Sequence, residues 1–240
     1  MGSASGGDST NVGSASGGVA DGGSTNTGGS FDSSSGAGGE PTAGAASGGA
    51  PSTTEVKFGF SCNGVADGSL AKWLSSQVIA MAGTWNDTSA DVQLEQYTLN
   101  HEYRDWNEDI DDAIGGIFKG ETWAQAANGD FDVRWRSAVT SIKRAWGSRD
   151  PALLNVRFAH EFNLAESQWK VRGDEADAFR DAWARFHGIF KEVLPTASLV
   201  WCPNDGTSGS LALDVRKAYP GGSYVDVICI DTYNQWPWVN

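Results

Sequence analysis

After residue 55, short apolar runs alternate with longer segments in which apolar residues recur at helical spacing. Buried parallel strands read as continuous apolar runs, and their alternation with helical segments is typical of a parallel α/β sheet. We therefore predict six β-strands. In chain order they cover residues 56–62, 78–82, a stretch within 113–118, 153–158, 198–201 and 224–230.

Two helices have especially clear patterns. Asp130 is the expected N-cap of the first and Gly147 its end, whereas Asp174 should cap the second and Pro195 close it. Apolar residues at steps of three and four define one buried face on each helix. They are Trp135, Val139, Ile142 and Trp146 in the first, and Phe179, Trp183, Phe186, Phe190 and Val193 in the second.

The repeated strand and helix pattern limits the fold class. No unit carries the Gly-x-Gly-x-x-Gly turn of a dinucleotide-binding fold. The predicted class is therefore α/β, a (β/α)8 TIM barrel over residues 55–240 that is incomplete, with about six βα units. Because such a barrel closes with eight strands, we expect two strands to lie outside these 240 residues and the 240 residues alone to be inactive.

Residues 1–54 have a different composition. The first 50 residues hold 16 Gly and 11 Ser, with four acidic and no basic side chains. Such a segment has too few apolar groups to offset the entropy of ordering, so we predict a disordered linker. Linkers of this type tether catalytic modules, so we expect a secreted or cell-envelope-tethered protein whose signal or anchor is not in this sequence.

Charge and composition exclude several functions. The chain has 17 Lys+Arg against 30 Asp+Glu, a net charge of −13, which removes the electrostatic attraction on which nucleic-acid binding depends. No stretch of 18 apolar residues occurs, so no membrane span is predicted. The three cysteines, Cys62, Cys202 and Cys229, are widely spaced and match no metal motif, so we predict buried free thiols and no metal or cofactor.

The candidate chemistry lies at the predicted strand ends, where barrels of this class place their reactive side chains. The motifs there resemble glycoside hydrolase family 26, whose best-known members are endo-β-1,4-mannanases. The resemblance covers roughly residues 150 to 236. Its motifs are residues 157–163 (Arg-Phe-Ala-His-Glu-Phe-Asn), Trp169, residues 200–204 (Val-Trp-Cys-Pro-Asn), residues 219–221 (Tyr-Pro-Gly) and residues 224–234.

The resemblance implies a retaining mechanism on a β-linked polysaccharide, without cofactor or metal. Glu161 corresponds to the general acid/base and His160 to a residue that orders the site. The family's nucleophile is a Glu after strand seven, so it would lie beyond Asn240. Two-residue alternation along the strand would point Glu161 into the barrel together with Arg157, and Arg157 is predicted to bind substrate.

Four further residues are predicted to bind substrate or support the site. The resemblance makes Trp169 a stacking platform for a sugar ring, although a core position is the alternative for any Trp. It makes Tyr233 a hydrogen-bonding partner of the nucleophile. Asn204 either faces substrate or forms a turn. Asp231 lies on the same strand face as Tyr233, and it either contacts substrate or ties a loop to the barrel mouth.

Departures from the family pattern leave the glycan undefined. Leu164 replaces the usual Gly, and residues 165–168 replace aromatic residues of a cleft loop. We therefore expect a monomeric, endo-β-1,4-mannanase-like glycosidase, with two alternatives. One is an inactive carbohydrate-binding barrel, and the other is a hydrolase of the same clan that acts on another β-glycan or exopolysaccharide.

A second His-Glu pair, His101-Glu102, follows no apolar strand and is expected to be solvated surface. Neither His-Glu pair has a second His four residues after the first, so the zinc-protease pattern is missing from both.

Overall fold

The computed structural model of the protein describes residue 57 and residues 59–232. The predicted linker over residues 1–54 therefore lies outside the described residues, as does Tyr233. Within the described part, no helix is long and apolar enough to cross a membrane.

Within residues 59–232, six parallel strands form one sheet in the order β1-β2-β3-β4-β5-β6. Each strand pairs with its neighbours in the sequence, which is the connectivity of an incomplete α/β barrel. All strand carboxyl ends consequently lie at the same edge of the sheet. The strands are β1 (Gly59–Phe60), β2 (Met81–Trp85), β3 (Asp109–Ile114), β4 (Leu154–Phe158), β5 (Ser198–Trp201) and β6 (Val227–Ile228).

In the described part of the chain, the crossovers between strands contain six α-helices. These are α1 (Ser69–Trp73), α2 (Ala90–Glu95), α3 (Tyr97–Asn100), α4 (Trp123–Asn128), α5 (Asp132–Trp146) and α6 (Ala176–Val193). Short 3-10 turns lie at Pro151–Leu153, Gly173–Glu175, Gly209–Leu211 and Val215–Ala218.

The core is an aromatic cluster between β4 and the two longest helices. Phe158 stacks on Phe186 with the ring centroids 3.9 Å apart. Its edges meet Trp135 and Trp183 at centroid distances of 5.4 and 5.5 Å. All four side chains are buried, and helical periodicity predicted this for Trp135, Trp183 and Phe186. Burial of this much aromatic area fixes α5 and α6 against β4, and therefore fixes the loop that follows β4.

The second and third strands differ from their predicted positions. β2 begins at Met81 and not at residue 78. Val78 lies before the sheet and is 80% exposed, so its apolar side chain does not mark a buried strand. β3 begins at Asp109, ahead of the apolar stretch, and contains a completely buried Asp112. Since this strand carries three Asp residues, a search for apolar runs placed it too far along the chain.

Helix ends were predicted better than helix starts. Gly147 is the C-cap of α5, and α6 ends at Val193 before Pro195, as expected. The predicted N-caps were wrong. Phe131 precedes α5, and Asp174 lies within a 3-10 turn before α6 begins at Ala176.

Candidate active site

Arg157, near the end of β4, lies at the centre of the charged groups at the sheet's carboxyl edge. Its side chain is buried and forms ion pairs with Asp111 of β3 at 2.9 Å and with Asp231 at 3.1 Å. The guanidinium also lies over the Trp85 ring, 4.5 Å from the ring centroid. A planar cation with fixed partners in several directions connects the ends of β2, β3, β4 and the segment after β6.

His160 lies beside this cluster and is buried between two indoles. Its ring is 5.0 Å from Trp85 and 5.2 Å from Trp169 by centroid, and its Nε2 lies 3.5 Å from Asp87 Oδ2. Burial, with a further contribution from nearby Arg157, lowers the pKa of His160 to about 3. The imidazole is therefore neutral at ordinary pH. Within the described chain its buried Nδ1 has no hydrogen-bond partner.

Glu161 follows a change in backbone direction. β4 ends at Phe158, and both Ala159 (φ 49°) and Glu161 (φ 52°) have left-handed conformations. Strand alternation therefore does not apply beyond Phe158, and the reasoning that aligned Glu161 with Arg157 on one strand face was wrong. The backbone N–H of Glu161 donates to Cys202 O at 2.8 Å, which ties this turn to the end of β5.

The carboxylate of Glu161 is half-buried and has a defined partner. Asn204 Nδ2 donates to Glu161 Oε1 at 2.9 Å. The two side chains of the predicted site are thus brought together across β4 and β5. Glu161, His160, Asp87 and Trp169 all line a depression of about 280 Å³.

Asn163 holds this arrangement together and was not singled out from the sequence. It is fully buried, its Oδ1 accepts from Asn204 N at 2.9 Å, and its Nδ2 donates to Asn204 O at 2.9 Å. Asn204 also accepts from the backbone of Gly206 in a turn, so its turn role and its contact with Glu161 occur together. Only the position of Asn163 within the His-Glu motif would have indicated its importance.

Asp231 connects the last described segment to the site. Besides its ion pair with Arg157, it forms a parallel bridge with Asn204, and its N–H donates to Pro203 O at 2.9 Å. These contacts match the structural alternative, in which Asp231 ties a loop to the barrel mouth. Substrate contact by Asp231 or Arg157 stays a prediction.

The cysteines correct the prediction of buried free thiols. Cys202 and Cys229 form a disulfide between the ends of β5 and β6, with Cα atoms 4.4 Å apart, and Cys62 is exposed. Parallel register brings the first two together, because Cys229 N donates to Trp201 O at 2.9 Å. A separation of 27 residues gave no indication of this pairing.

The disulfide cysteines also belong to a group of potential metal ligands. Among the described residues, one group of three potential ligands lies close together, and it consists of Cys202, Cys229 and Asp231. In the disulfide-bonded form these sulfurs are not thiolates, which are the form that ligates metals.

Burial also changes the acidity of the surrounding carboxyl groups. It raises the pKa of Asp111 to about 6, against the lowering effect of Arg157, and that of Asp112 to about 8. The pKa values of Asp87 and Asp231 are also raised, mainly by burial and with a smaller contribution from the Glu161 charge. Of these groups, Asp111 therefore changes its protonation in the mildly acidic range, whereas Asp112 is protonated at neutral pH.

Trp169 lines the depression but is mostly buried. Only 6% of it is exposed, and its Nε1 donates to His160 O at 2.5 Å. The ring packs against Gly115, where an added Cβ would lie 2.7 Å from the indole. The Trp169 indole therefore supports His160 through this hydrogen bond and ring contact. The stacking of Trp169 on a sugar stays a prediction. Trp85, by contrast, is 41% exposed.

His101 and Glu102 are both exposed, as expected for solvated surface. Glu102 nevertheless lines a separate cavity of about 690 Å³ at the ends of β1 and β2.

Comparisons with known proteins give distant structural similarities. No family model matches the chain, and no curated protein matches it. The chain is similar to the structure of GH26C from Muricauda sp. MAR_2010_75, with 16% sequence identity and a TM-score of 0.43. The match covers 65% of this chain and 51% of the other, so this chain spans about half the length of that protein. A similarity of this size does not indicate a function. The evidence for a function comes from the side chains at the site.

Proposed function

We propose that residues 55–240 form part of a retaining glycoside hydrolase in which Glu161 is the general acid/base. The observation that carries the proposal is the hydrogen bond from Asn204 to Glu161 Oε1 on the wall of a depression next to neutral His160. In a retaining mechanism, one carboxylic acid protonates the leaving oxygen and later takes a proton from water. Glu161 has the side chain and the partial exposure that this role requires.

Each neighbour has a task in this mechanism. Asn204 orients one oxygen of Glu161 and leaves the other for the transferred proton. Neutral His160 forms a wall of the depression without adding a positive charge, which would otherwise hold Glu161 ionised. The ion pairs of Arg157 with Asp111 and Asp231 join β3, β4 and the segment after β6 beside the site. The nucleophile is expected beyond Asn240.

The substrate we propose is a β-linked polysaccharide. The activity we propose is most similar to that of an endo-β-1,4-mannanase, which cleaves β-1,4-mannan. The depression is open to solvent, and its lining includes Leu164, Glu166, Ser167 and Gln168 of the loop that departs from the family pattern. A hydrolase of the same clan acting on another β-glycan or exopolysaccharide would use the same groups. A carbohydrate-binding barrel without catalysis is the alternative from a different class.

We also propose that the protein acts as a monomer outside the cytoplasm, secreted or tethered to the cell envelope. The Gly- and Ser-rich composition of residues 1–54 supports a tether. The Cys202–Cys229 disulfide supports an oxidising compartment.

The proposal is tested by Glu161→Ala in the full-length protein. Hydrolysis of β-mannan should fall by about 100 to 10,000-fold, the range expected for loss of a general acid/base. Glu108→Ala is the matched control, because Glu108 is exposed and precedes β3 at the opposite edge of the sheet. It should leave the rate within twofold of wild type.

Binding measurements separate the two classes of function. If Glu161→Ala loses hydrolysis but retains glycan affinity, the enzyme is supported. Wild-type protein that binds glycan and hydrolyses none of a panel of β-mannan, β-glucan and β-xylan would favour the inactive carbohydrate-binding barrel instead.

A further inference from the structure

A second cavity near the candidate site lies outside the depression that Glu161 lines. It has a volume of about 690 Å³ and opens between the carboxyl ends of β1 and β2 and the segment after α3. Ser61, Asn63, Asp67, Trp85, Glu102 and Tyr103 are among its lining residues. This volume is typical of pockets that bind small ligands.

Trp85 separates this cavity from the catalytic depression. One face of its ring lies on Arg157, and its edge approaches His160, which lines the depression. Its Nε1 donates to Ser61 Oγ at 3.1 Å, and 41% of the residue is still exposed. An indole held in this way presents a fixed apolar surface at little entropic cost, and the apolar C–H face of a pyranose packs on such surfaces.

The charged residues that line the cavity are both acidic. Asp67 and Glu102 are exposed carboxylates, and no Lys or Arg occurs among the residues that line this cavity. Asp67 is held in place because its Oδ1 accepts from Ser69 N at 2.8 Å. Carboxylates accept hydrogen bonds from sugar hydroxyls, whereas they repel a sugar that carries its own carboxylate.

We propose that this cavity is a sugar subsite that accepts an uncharged pyranose and rejects a uronic acid. The subsite extends the cleft from the Glu161 depression across Trp85, and in that respect it rests on the proposed function. Glu102 of the second His-Glu pair is its specificity determinant. The substrate class that follows is a neutral β-glycan, and polyuronates are excluded.

The test compares the affinities of neutral and acidic probes by titration calorimetry on the full-length Glu161→Gln protein. The substitution removes the proposed general acid while binding is measured. The neutral probes are β-1,4-linked hexaoses of mannose, glucose and xylose, and the acidic probe is β-1,4-linked hexamannuronate. At low salt, at least one neutral hexaose should bind at least tenfold more tightly than hexamannuronate. High salt should narrow this gap, because it screens the repulsion.

Variants assign the discrimination to the cavity. Glu102→Gln should reduce the preference for neutral over acidic probe by about three- to tenfold, with little effect on folding because Glu102 is exposed. Trp85→Ala should weaken binding of the neutral probe at least tenfold, and Trp85→Phe should restore much of it. Asp181→Asn, an exposed carboxylate on α6, is the control and should change neither value.

Several results would overturn the subsite. One is that no neutral hexaose binds at millimolar concentration. Another is that Glu102→Gln leaves the preference for the neutral over the acidic probe unchanged. A third is that Trp85→Ala leaves the affinity for the neutral probe unchanged. The failure of the proposed function looks different. Full hydrolysis by Glu161→Ala, with discrimination that still depends on Glu102, would remove the catalytic assignment and leave the subsite standing.

Discussion

The central strands and the edge strands of this sheet are built differently. β3 and β4 pair over five residues, from Ile110↔Leu154 to Ile114↔Phe158, and all four of these side chains are buried. β1 and β6 each pair over two residues, and Ile228 is 59% exposed. The candidate site draws on both regions. Arg157 lies in the buried strand β4, and His160 and Glu161 come directly after it. Asp231 comes just after the exposed edge strand β6.

The difference shows what holds each half of the site. The β4 half is fixed by aromatic packing between the sheet and α5 and α6. The β6 half is fixed by covalent and polar contacts instead, namely the Cys202–Cys229 disulfide and the Arg157–Asp231 ion pair. A perturbation of packing and a perturbation of thiol chemistry should therefore affect different halves.

The largest expected effect comes from Phe158→Ala. The ring of Phe158 contacts four aromatic neighbours that are buried in the core, so its loss should destabilise the protein by about 3 to 5 kcal/mol. Denaturant unfolding measures the change. Ile228→Ala on the exposed edge strand is the control and should cost under about 1 kcal/mol. Equal costs at the two positions would contradict the comparison.

Removal of the disulfide should have the next largest effect. Cys202→Ser with Cys229→Ser should lower stability by about 2 to 4 kcal/mol, because the cross-link closes a loop of moderate length. Hydrogen exchange should show faster exchange at the Cys229 and Asp231 amides, while the β4 amides change little. Cys62→Ser is the matched control, since Cys62 is exposed and unpaired. Uniform loss of protection across the sheet would argue against two separate halves.

The buried Asp112 should make stability depend on pH. Its folded-state pKa of about 8 lies above the unfolded value, so the folded state retains a proton that the unfolded state releases. Stability from this group is therefore present at acidic pH and lost as pH rises to about 8. Burial has the opposite effect on His160, because it lowers the pKa of the imidazole from 6.5 to about 3. The contribution of His160 to stability therefore rises with pH up to about 6.5.

Asp112→Asn isolates the first of these two effects. Asn86 Nδ2 donates to Asp112 Oδ1 at 2.8 Å, and the amide oxygen of an Asn can accept the same bond. Between pH 6.5 and 8 the unfolding free energy should fall less steeply in the variant than in wild type. Identical slopes would show that Asp112 does not hold a proton in the folded state.

The smallest effect is expected from deletion of residues 1–50. Their composition predicts no packing against the barrel, so the melting temperature of the remaining domain should stay within about 2 °C. A drop of several degrees would show that this segment docks on the domain.

The sequence predicted the parts of the fold in which packing is periodic. The apolar faces of α5 and α6 and the run of β4 could be found because each buried position recurs at a fixed spacing. β3 was misplaced because its buried Asp112 accepts a hydrogen bond from Asn86, a partner 26 residues away that no local pattern shows.

The candidate site could be predicted only in its residue types. Glu161 and Asn204 were both singled out, yet their hydrogen bond depends on two loops that Asn163 joins. The disulfide depends on the register of β5 against β6, which cysteine spacing does not reveal. Contacts that join different strand ends are set by the assembled sheet, so local sequence reasoning missed them.

The most direct test of Glu161 as the acid/base is the leaving-group dependence of Glu161→Ala. Aryl β-glycosides with leaving groups of increasing pKa would be assayed in the full-length variant and wild type. The variant should approach wild-type formation of the glycosyl-enzyme with the best leaving group, which needs no protonation, and fall about 100-fold or more behind with the poorest. Added azide, which needs no general base, should restore turnover with good leaving groups and give a β-glycosyl azide. A deficit that is the same for every leaving group and unaffected by azide would contradict the assignment.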